Sequence, residues 1–300
     1  QNATIGSNVT LSVDANGTGL NYQWQKRDAN GTWVNIGGAT ASSYTINSVQ
    51  AIHAGTYRVA ITNAGGITTH SANSVLDVIQ DPLTQGLMAY YPFNGSALDD
   101  SGNGKNGTIH GATPTVDRNG STTGALYFDG TNDYIDTGDI LFPNNTFTAS
   151  LWVKSDAPSQ WQHLVENGTK ENGLDGAFRL QLGSAGSASI AVGNGFSYGE
   201  KPVSFSWESN DWMHLTMTYD GSHVSLYKNG QLVASNTPGG SVDIRNGDGK
   251  LVIGSFKGTE RFFKGSIDEV RIYDRKLSAS EVDQLWKFQP LPPPNITSQP

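Results

Sequence analysis

The sequence predicts an all-β fold of two sandwich domains, and three observations carry that reading. Apolar residues alternate with polar ones over short runs, the period-2 pattern of half-buried strands. Glycine is abundant, with 36 in 300 residues, and Asn-Gly pairs recur between the runs, as tight turns require. Charged residues make up only 15%, yet 7 Trp, 11 Tyr and 11 Phe supply enough ring surface to build large cores. At roughly 150 residues per domain, the length suggests about two domains.

The first domain runs over residues 1–80. Val9, Leu11 and Val13 alternate with polar neighbours, as do Leu20, Tyr22 and Trp24, and Asn16-Gly17 and Asn30-Gly31 supply positive-φ turn residues. Ala54-Gly55-Thr56-Tyr57-Arg58-Val59 and Asn63-Ala64-Gly65-Gly66 follow. With these strings the segment resembles a bacterial immunoglobulin-like domain. The resemblance sets Trp24 at the buried strand-C tryptophan and Tyr57 at the tyrosine corner. It places the family's two cysteine positions on Val13 and Val59, so apolar packing replaces the disulfide, and it puts His53 where the family usually has Asp.

Residues 81–85, Asp-Pro-Leu-Thr-Gln, read as a linker. The second domain, residues 86–287, is again rich in strands. Phe147, Ala149, Leu151 and Val153 alternate, as do Met213, Leu215, Met217 and Tyr219. Phe178, Leu180 and Leu182 take one face of their strand, leaving Arg179 and Gln181 on the other. Tyr227-Lys228-Asn229-Gly230-Gln231 predicts a tight hairpin. One helix is expected at the end, where Ser278-Ala279-Ser280-Glu281 forms a capping box ahead of Val282, Leu285 and Trp286.

An ordered set of strings runs through this domain: Tyr91-Pro92-Phe93-Asn94-Gly95, Asp99-Asp100-Ser101-Gly102-Asn103-Gly104, Leu126-Tyr127-Phe128-Asp129-Gly130, Asp211-Trp212-Met213-His214 and Phe263-Lys264-Gly265-Ser266-Ile267-Asp268-Glu269. Together with the strand Phe147–Val153 they are similar to a laminin-G-like, concanavalin A-like jelly roll over about two hundred residues. The resemblance implies two packed antiparallel sheets, one of them concave. It leaves function open, because the fold serves lectins, carbohydrate-binding modules, adhesins and spacers.

Residues 288–300 read as a Pro-rich linker, Gln289-Pro290-Leu291-Pro292-Pro293-Pro294, and then the start of a further immunoglobulin-like domain at Asn295-Ile296-Thr297-Ser298-Gln299-Pro300; an ordinary Pro-rich tail is the alternative. The expectation is therefore a piece of a longer multidomain protein, secreted or on the cell surface. A net charge of −8 argues against a nucleic-acid partner, and no apolar run is long enough for membrane insertion. The absence of cysteine removes disulfides, thiolate metal sites and cysteine nucleophiles.

Catalysis is not expected of this segment. Glycanases of the fold carry carboxylates in a Glu-x-Asp-x-Glu pattern on one strand face. Here the first acid falls on Ser266, and strict alternation would turn Glu269 away from Asp268. No nucleophile elbow accompanies the serines, and the six histidines show no metal-ligand spacing.

Relatives of the laminin-G type often hold a structural calcium between the early loop and the late Asp-bearing strand. Carried over, the ligands are Asp99 and Asp268, with Asn94 or Asn103 adding carbonyls. The other reading is that Asp99 and Asn103 make Asx-turns and that Asp268 pairs with an arginine.

A glycan site needs exposed rings for the apolar sugar face and polar or charged groups for hydroxyls and acidic substituents. Trp24, Trp152 and Trp212 sit in core strings and are expected to be buried. Trp161 and His163 lie in or beside a polar loop, Phe196 and Tyr198 in a Gly-rich one, and Trp207 outside a clean strand; each ring either rims a site or lids the core. Arg179 and His214 would line the polar face of one sheet, and Lys257 and Arg261 would reach its rim. The leading expectation is a non-catalytic carbohydrate-binding or adhesion module, with an acidic polysaccharide favoured by the grouped cations and the first domain as spacer. A purely structural spacer, and an ancillary domain of a secreted polysaccharide-degrading enzyme, are the alternatives.

Overall fold

The computed structural model describes residues 1–79, 81–156, 160–168, 178–183, 187–193, 201–204, 209–238, 242–246 and 249–288. It divides into two compact units, Gln1–Gln85 and Gly86–Pro300.

The first unit holds β1 (Asn2–Thr4), β2 (Val9–Ser12), β3 (Asn21–Arg27), β4 (Trp33–Asn35), β5 (Ser43–Ile46), β6 (Gly55–Thr62), β7 (Thr68–His70) and β8 (Ser74–Ile79). One sheet runs β1-β8-β6-β3-β4, with β7 also on β6, and β2 pairs with β5 in a second. Trp24 from β3 is buried with its indole Nε1 donating to the Ala41 carbonyl (3.0 Å). The Tyr57 hydroxyl donates to the His53 carbonyl four residues back (2.6 Å), and His53 Nδ1 accepts from the Gln50 amide (2.8 Å), which closes the turn before β6. Val59 is buried and Val13 packs half-buried against the same core.

The second unit opens with β9 (Leu87–Tyr91), β10 (Thr108–His110), β11 (Thr113–Thr115), β12 (Ala125–Asp129), β13 (Tyr134–Asp139) and β14 (Phe147–Ser155). It continues with β15 (Gln162–Asn167), β16 (Phe178–Leu182), β17 (Ser187–Val192), β18 (Lys201–Ser204), β19 (Trp212–Tyr219), β20 (Val224–Lys228), β21 (Gln231–Asn236), β22 (Lys250–Ile253) and β23 (Lys264–Tyr273), and ends in α1 (Ala279–Lys287). Seven strands run β10-β13-β22-β15-β16-β17-β18, and eight are ordered around β23-β14-β19, with β9 also on β23. The two sheets meet through their apolar faces. Phe147 of β14 stacks on Phe178 of β16 with centroids 4.3 Å apart, and Leu151, Val153, Leu180, Leu182, Leu215 and Met217 fill the layer around them. Burial of this kind contributes about 1.5–3 kcal/mol per large side chain.

Local chemistry explains the joints. Asn229 and Gly230 turn β20 into β21 with φ of 50° and 77°, the paired positive angles of a type I′ hairpin. Ser278 Oγ accepts from the Glu281 amide while Glu281 Oε2 accepts from the Ser278 amide (2.7 Å), so the first turn of α1 is capped reciprocally. Val282 and Leu285 are buried beneath it, and Trp286 packs half-buried beside Gly230. Trp152 is buried as expected, but Trp212, near the start of its sheet-face run, is only half-buried.

Candidate functional site

On β15 and β16 alternation sets the polar residues, and one bulge rearranges them. His163 pairs with Gln181 and Val165 with Leu180, so Leu164 is an extra residue in the ladder. Leu164 and Val165 both enter the core. The phase of the strand resets, and His163 and Glu166, three residues apart, come to the same face. His163 Nδ1 lies 3.0 Å from Glu166 Oε2, and both side chains are fully buried. Glu166 stands opposite Arg179 in the register. With Glu166 ionised, its carboxylate only accepts and Nδ1 carries the proton. Burial first, then the charges of Arg179 and Arg261, push the imidazole down to about 3, leaving it neutral at pH 7.

Over this pair lies the loop from Ser255 to Arg261. Phe256 and Glu260 close it as an isolated bridge, and Lys257 and Arg261 both take the left-handed conformation, with φ of 58° and 54°. Two bonds fix it from below: the Lys257 amide donates to Glu166 Oε1 (3.0 Å), and the His163 amide donates to the Arg261 carbonyl (3.0 Å). The Phe256 ring stands edge-on to His163 at 5.1 Å. Lys257 Nζ and Arg261 Cζ lie 4.9 and 6.0 Å from the Phe256 centroid, two cations around one ring. Arg261 Nη1 also makes a long contact of 3.5 Å to Gln181 Oε1. On the other side of the loop Gly258 seats against the Tyr134 ring, which stacks on His110 at 4.3 Å; a Cβ at Gly258 would come within 2.8 Å of that ring.

Of the residues singled out for glycan contact, four are thus gathered: His163, Arg179, Lys257 and Arg261. Trp161 is half-buried with its ring against Gly183, just past the end of β16; Lys257 is half-buried and Arg261 exposed. His163 and Arg179, expected at the surface, are buried at 0% and 8%, and act from beneath. His214 does not line this sheet at all: it belongs to β19 of the eight-stranded sheet. Phe196, Tyr198 and Trp207 lie outside the described residues. Sequence reasoning missed Glu166, Phe256 and Tyr134, and it placed Gln181 on a polar strand face without assigning it to the site. Gln181 was visible through its alternation with Leu180 and Leu182; Glu166 was hidden by the bulge.

Three of the four residues expected to share a cation make other contacts. Asp99 Oδ1 accepts from the Tyr90 and Ser101 amides (both 2.9 Å), and Oδ2 from the Lys105 amide (2.8 Å) and Ser101 Oγ (2.9 Å). Burial alone would raise its pKa, but these donors hold it below the usual range. Asn103 Nδ2 donates to the Leu87 and Met88 carbonyls, and Asn94 is exposed. Asp268 Oδ2 accepts from Arg118 Nη1 (2.8 Å). Neither Asp99 oxygen is open to a cation, so these residues do not fit a calcium held jointly by Asp99 and Asp268. Among the described residues no three His, Asp or Glu side chains gather as a metal site.

A second bulge corrects the reading of Asp268 and Glu269. The register shifts along β23 and Glu269 takes φ of 56°. Ile267, Val270 and Ile272 face the core, which leaves both carboxylates in one network on the opposite face. Glu269 Oε2 accepts from the Tyr90 hydroxyl (2.9 Å) and pairs with Arg271 (2.8 Å). Arg271 lies between the rings of Tyr90 and Phe288, at 3.9 and 4.3 Å, and Arg118 lies over Trp152 at 4.6 Å. Burial, then the charge of Glu269, lifts the Asp268 carboxyl to about 8 against the pull of Arg118. Both carboxylates are 1% exposed and each pairs with an arginine, so they face no substrate. Next to them His214 Nε2 bonds Ser150 Oγ (2.8 Å), and burial pushes this imidazole to about 3 as well.

Comparison with known proteins places this architecture. A family model described as Concanavalin A-like lectin/glucanases superfamily matches residues 128–283, just over half of the chain. A second, described as Domain of unknown function (DUF8696), matches residues 1–80. No curated protein matches. Among solved structures, domain 4 of AbnA, a GH43 extracellular arabinanase from Geobacillus stearothermophilus in complex with arabinotriose, is similar at 24% identity and a TM-score of 0.54, over 66% of this chain and 97% of that one. The ligand binding domain of botulinum neurotoxin serotype D in complex with N-acetylneuraminic acid is similar at 14% identity and a TM-score of 0.53, over 68% of this chain and 51% of that one. The binding domain of Paraclostridial Mosquitocidal Protein 1 is similar at 18% and 0.55, over 68% and 52%. The match thus spans about half the length of the two toxin structures. At these identities the likeness is one of fold.

Proposed function

The chain belongs to the concanavalin A-like lectin/glucanases superfamily, and on that premise we propose that it is a non-catalytic carbohydrate-binding module whose ligand is a polysaccharide bearing anionic groups. The observation that carries this reading is the loop Ser255–Arg261, which holds two cations around one aromatic ring; Trp161, two residues before His163, is half-buried. Holding like charges together costs energy that a bound carboxylate or sulfate would relieve. Arg261, together with Arg179, also adds to the effect of burial in lowering the pKa of the His163 ring. A half-exposed indole offers a sugar its flat apolar face. The arginine-paired burial of Asp268 and Glu269 supports a binding rather than a hydrolytic role.

In this reading the first unit is an immunoglobulin-like spacer, supported by the buried Trp24 and the Tyr57–His53 bond, and the protein works in a secreted or surface-bound multidomain chain. Among the described residues no helix is long and apolar enough to cross a membrane. A second reading, an ancillary domain of a secreted polysaccharide-degrading enzyme, is supported by the arabinanase neighbour, whose similar part is likewise one domain of an enzyme.

Affinity electrophoresis through gels containing polygalacturonate, a sulfated polymer or neutral arabinan tests the proposal. Retardation by an acidic polymer, lost in Arg261→Gln and Trp161→Ala, is the expected result. Retardation by arabinan alone would remove the anionic preference, and no retardation on any gel would leave a structural spacer.

A further inference from the structure

We infer that Glu166 is a positioning residue of this site: its buried carboxylate ties the Lys257 end of the loop to β15 and so sets how the loop's cations are presented. The inference rests on the binding reading only for what the loop does; what holds the loop is independent of any ligand.

A turn that places two non-glycine residues at positive φ is strained at both, and such strain persists where the surroundings over-determine it. One strained residue is Lys257, and its amide is the group that Glu166 Oε1 accepts at 3.0 Å. The other oxygen takes the His163 Nδ1 proton at 3.0 Å. His163 in turn donates its own amide to the carbonyl of Arg261, the second strained residue (3.0 Å). The Glu166 carboxylate therefore bolts the Lys257 end of the loop to β15, and the His163 backbone amide bolts the Arg261 end. Glu166 and His163 are fully buried, which shields these bonds from water on the sheet side, and losing the acceptor would cost the Lys257 amide this bond. Contacts inside the loop, among them the paired Phe256–Glu260 backbone bonds, the Thr259 amide donating to the Phe256 carbonyl (3.0 Å) and the Gly258 amide donating to Ser255 Oγ (2.9 Å), close the turn but do not tie it to the sheet.

Two substitutions in the full chain separate the roles. Glu166→Gln keeps an oxygen for the Lys257 amide and presents an NH₂ to His163, whose proton must then move from Nδ1 to Nε2. Expected results are unchanged amide resonances over 256–261, retardation on polygalacturonate within about twofold of the parent, and a switched His163 tautomer in ¹⁵N spectra. Glu166→Met removes the acceptor at similar volume. The loop resonances should move and retardation should weaken about tenfold, or about 1.4 kcal/mol of binding. If Glu166→Met does not fold, hydrogen exchange on the unsubstituted protein decides: the Lys257 amide should be strongly protected. Unmoved loop resonances in the Met variant, or a Lys257 amide exchanging at an unprotected rate, would overturn the inference. If no polymer retards the unsubstituted protein, the glycan reading fails while the resonance and exchange results still decide the role of Glu166.

Discussion

His163 and Glu166, three residues apart on one strand, meet side chain to side chain at 3.0 Å because a single extra residue resets the strand between them. The contact holds a neutral imidazole in a fully buried place, and His214 sits in a similar one in the opposite sheet.

Stability should therefore fall on acidification. Both imidazoles have folded pKa values near 3 against about 6.5 unfolded, so their contribution is complete above pH 6.5 and is lost as pH falls toward 3. From pH 6.5 to 5 each loses about 2 kcal/mol. Asp268 has the opposite sign, because its raised pKa favours the folded, protonated form as pH falls below about 8. It offsets more than one imidazole, which leaves a net loss of about 1 kcal/mol. Urea titrations of the C-terminal unit at the two pH values check this. His214→Gln should flatten the dependence, and a stability that rises from pH 6.5 to 5 would refute it.

Arg271 predicts a large local loss. Its guanidinium fills the space between Tyr90 and Phe288 and neutralises the buried Glu269. Arg271→Ala leaves that carboxylate with only the Tyr90 hydroxyl and should cost about 3–5 kcal/mol. Arg271→Lys keeps the charge without the stacking plane and should recover part of it. Equal midpoints for the Ala and Lys variants would mean that charge is irrelevant there.

Legibility in the sequence followed the range of the interactions. The strands Phe147–Ser155 and Trp212–Tyr219, the Asn229-Gly230 turn and the Ser278–Glu281 cap are local, and each could be read from neighbouring residues. Arg179 and Gln181 were placed on the polar face of β16 by alternation alone. What alternation cannot carry is a phase reset. Leu164 and Glu269 each shift the register, and so the pairing of His163 with Glu166 and the shared face of Asp268 and Glu269 were invisible. The partner of Asp268 lies 150 residues away at Arg118, a distance over which no spacing rule operates. The rim cations were found, but the ring that gathers them, Phe256, was not singled out.

The Asp99 turn gives a prediction about calcium. Four donors already occupy its carboxylate. Asp99→Ala strands two amides from the turn and one from β9, and should cost about 2–4 kcal/mol. Excess calcium or EGTA should move the melting midpoint of the unsubstituted protein by no more than about 1 °C, since an ion that binds only the folded state would raise it by mass action. A clear rise with calcium would show that the carboxylate exchanges its amide donors for the ion.

Salt separates the two kinds of contact proposed for the loop site. Attraction between Lys257, Arg261 and an acidic polymer is screened over about 8 Å at physiological ionic strength and about 3 Å at 1 M, whereas stacking on Trp161 is not. Retardation on polygalacturonate should therefore weaken steeply as salt rises. Arg261→Gln and Lys257→Gln should each lower affinity at low salt and flatten the salt dependence. Trp161→Ala should lower affinity by a similar factor at every salt concentration and leave the slope alone. A parent slope unchanged in both charge variants would place the anion elsewhere on the protein, because the two side chains gathered around Phe256 would then contribute no part of the field the polymer meets.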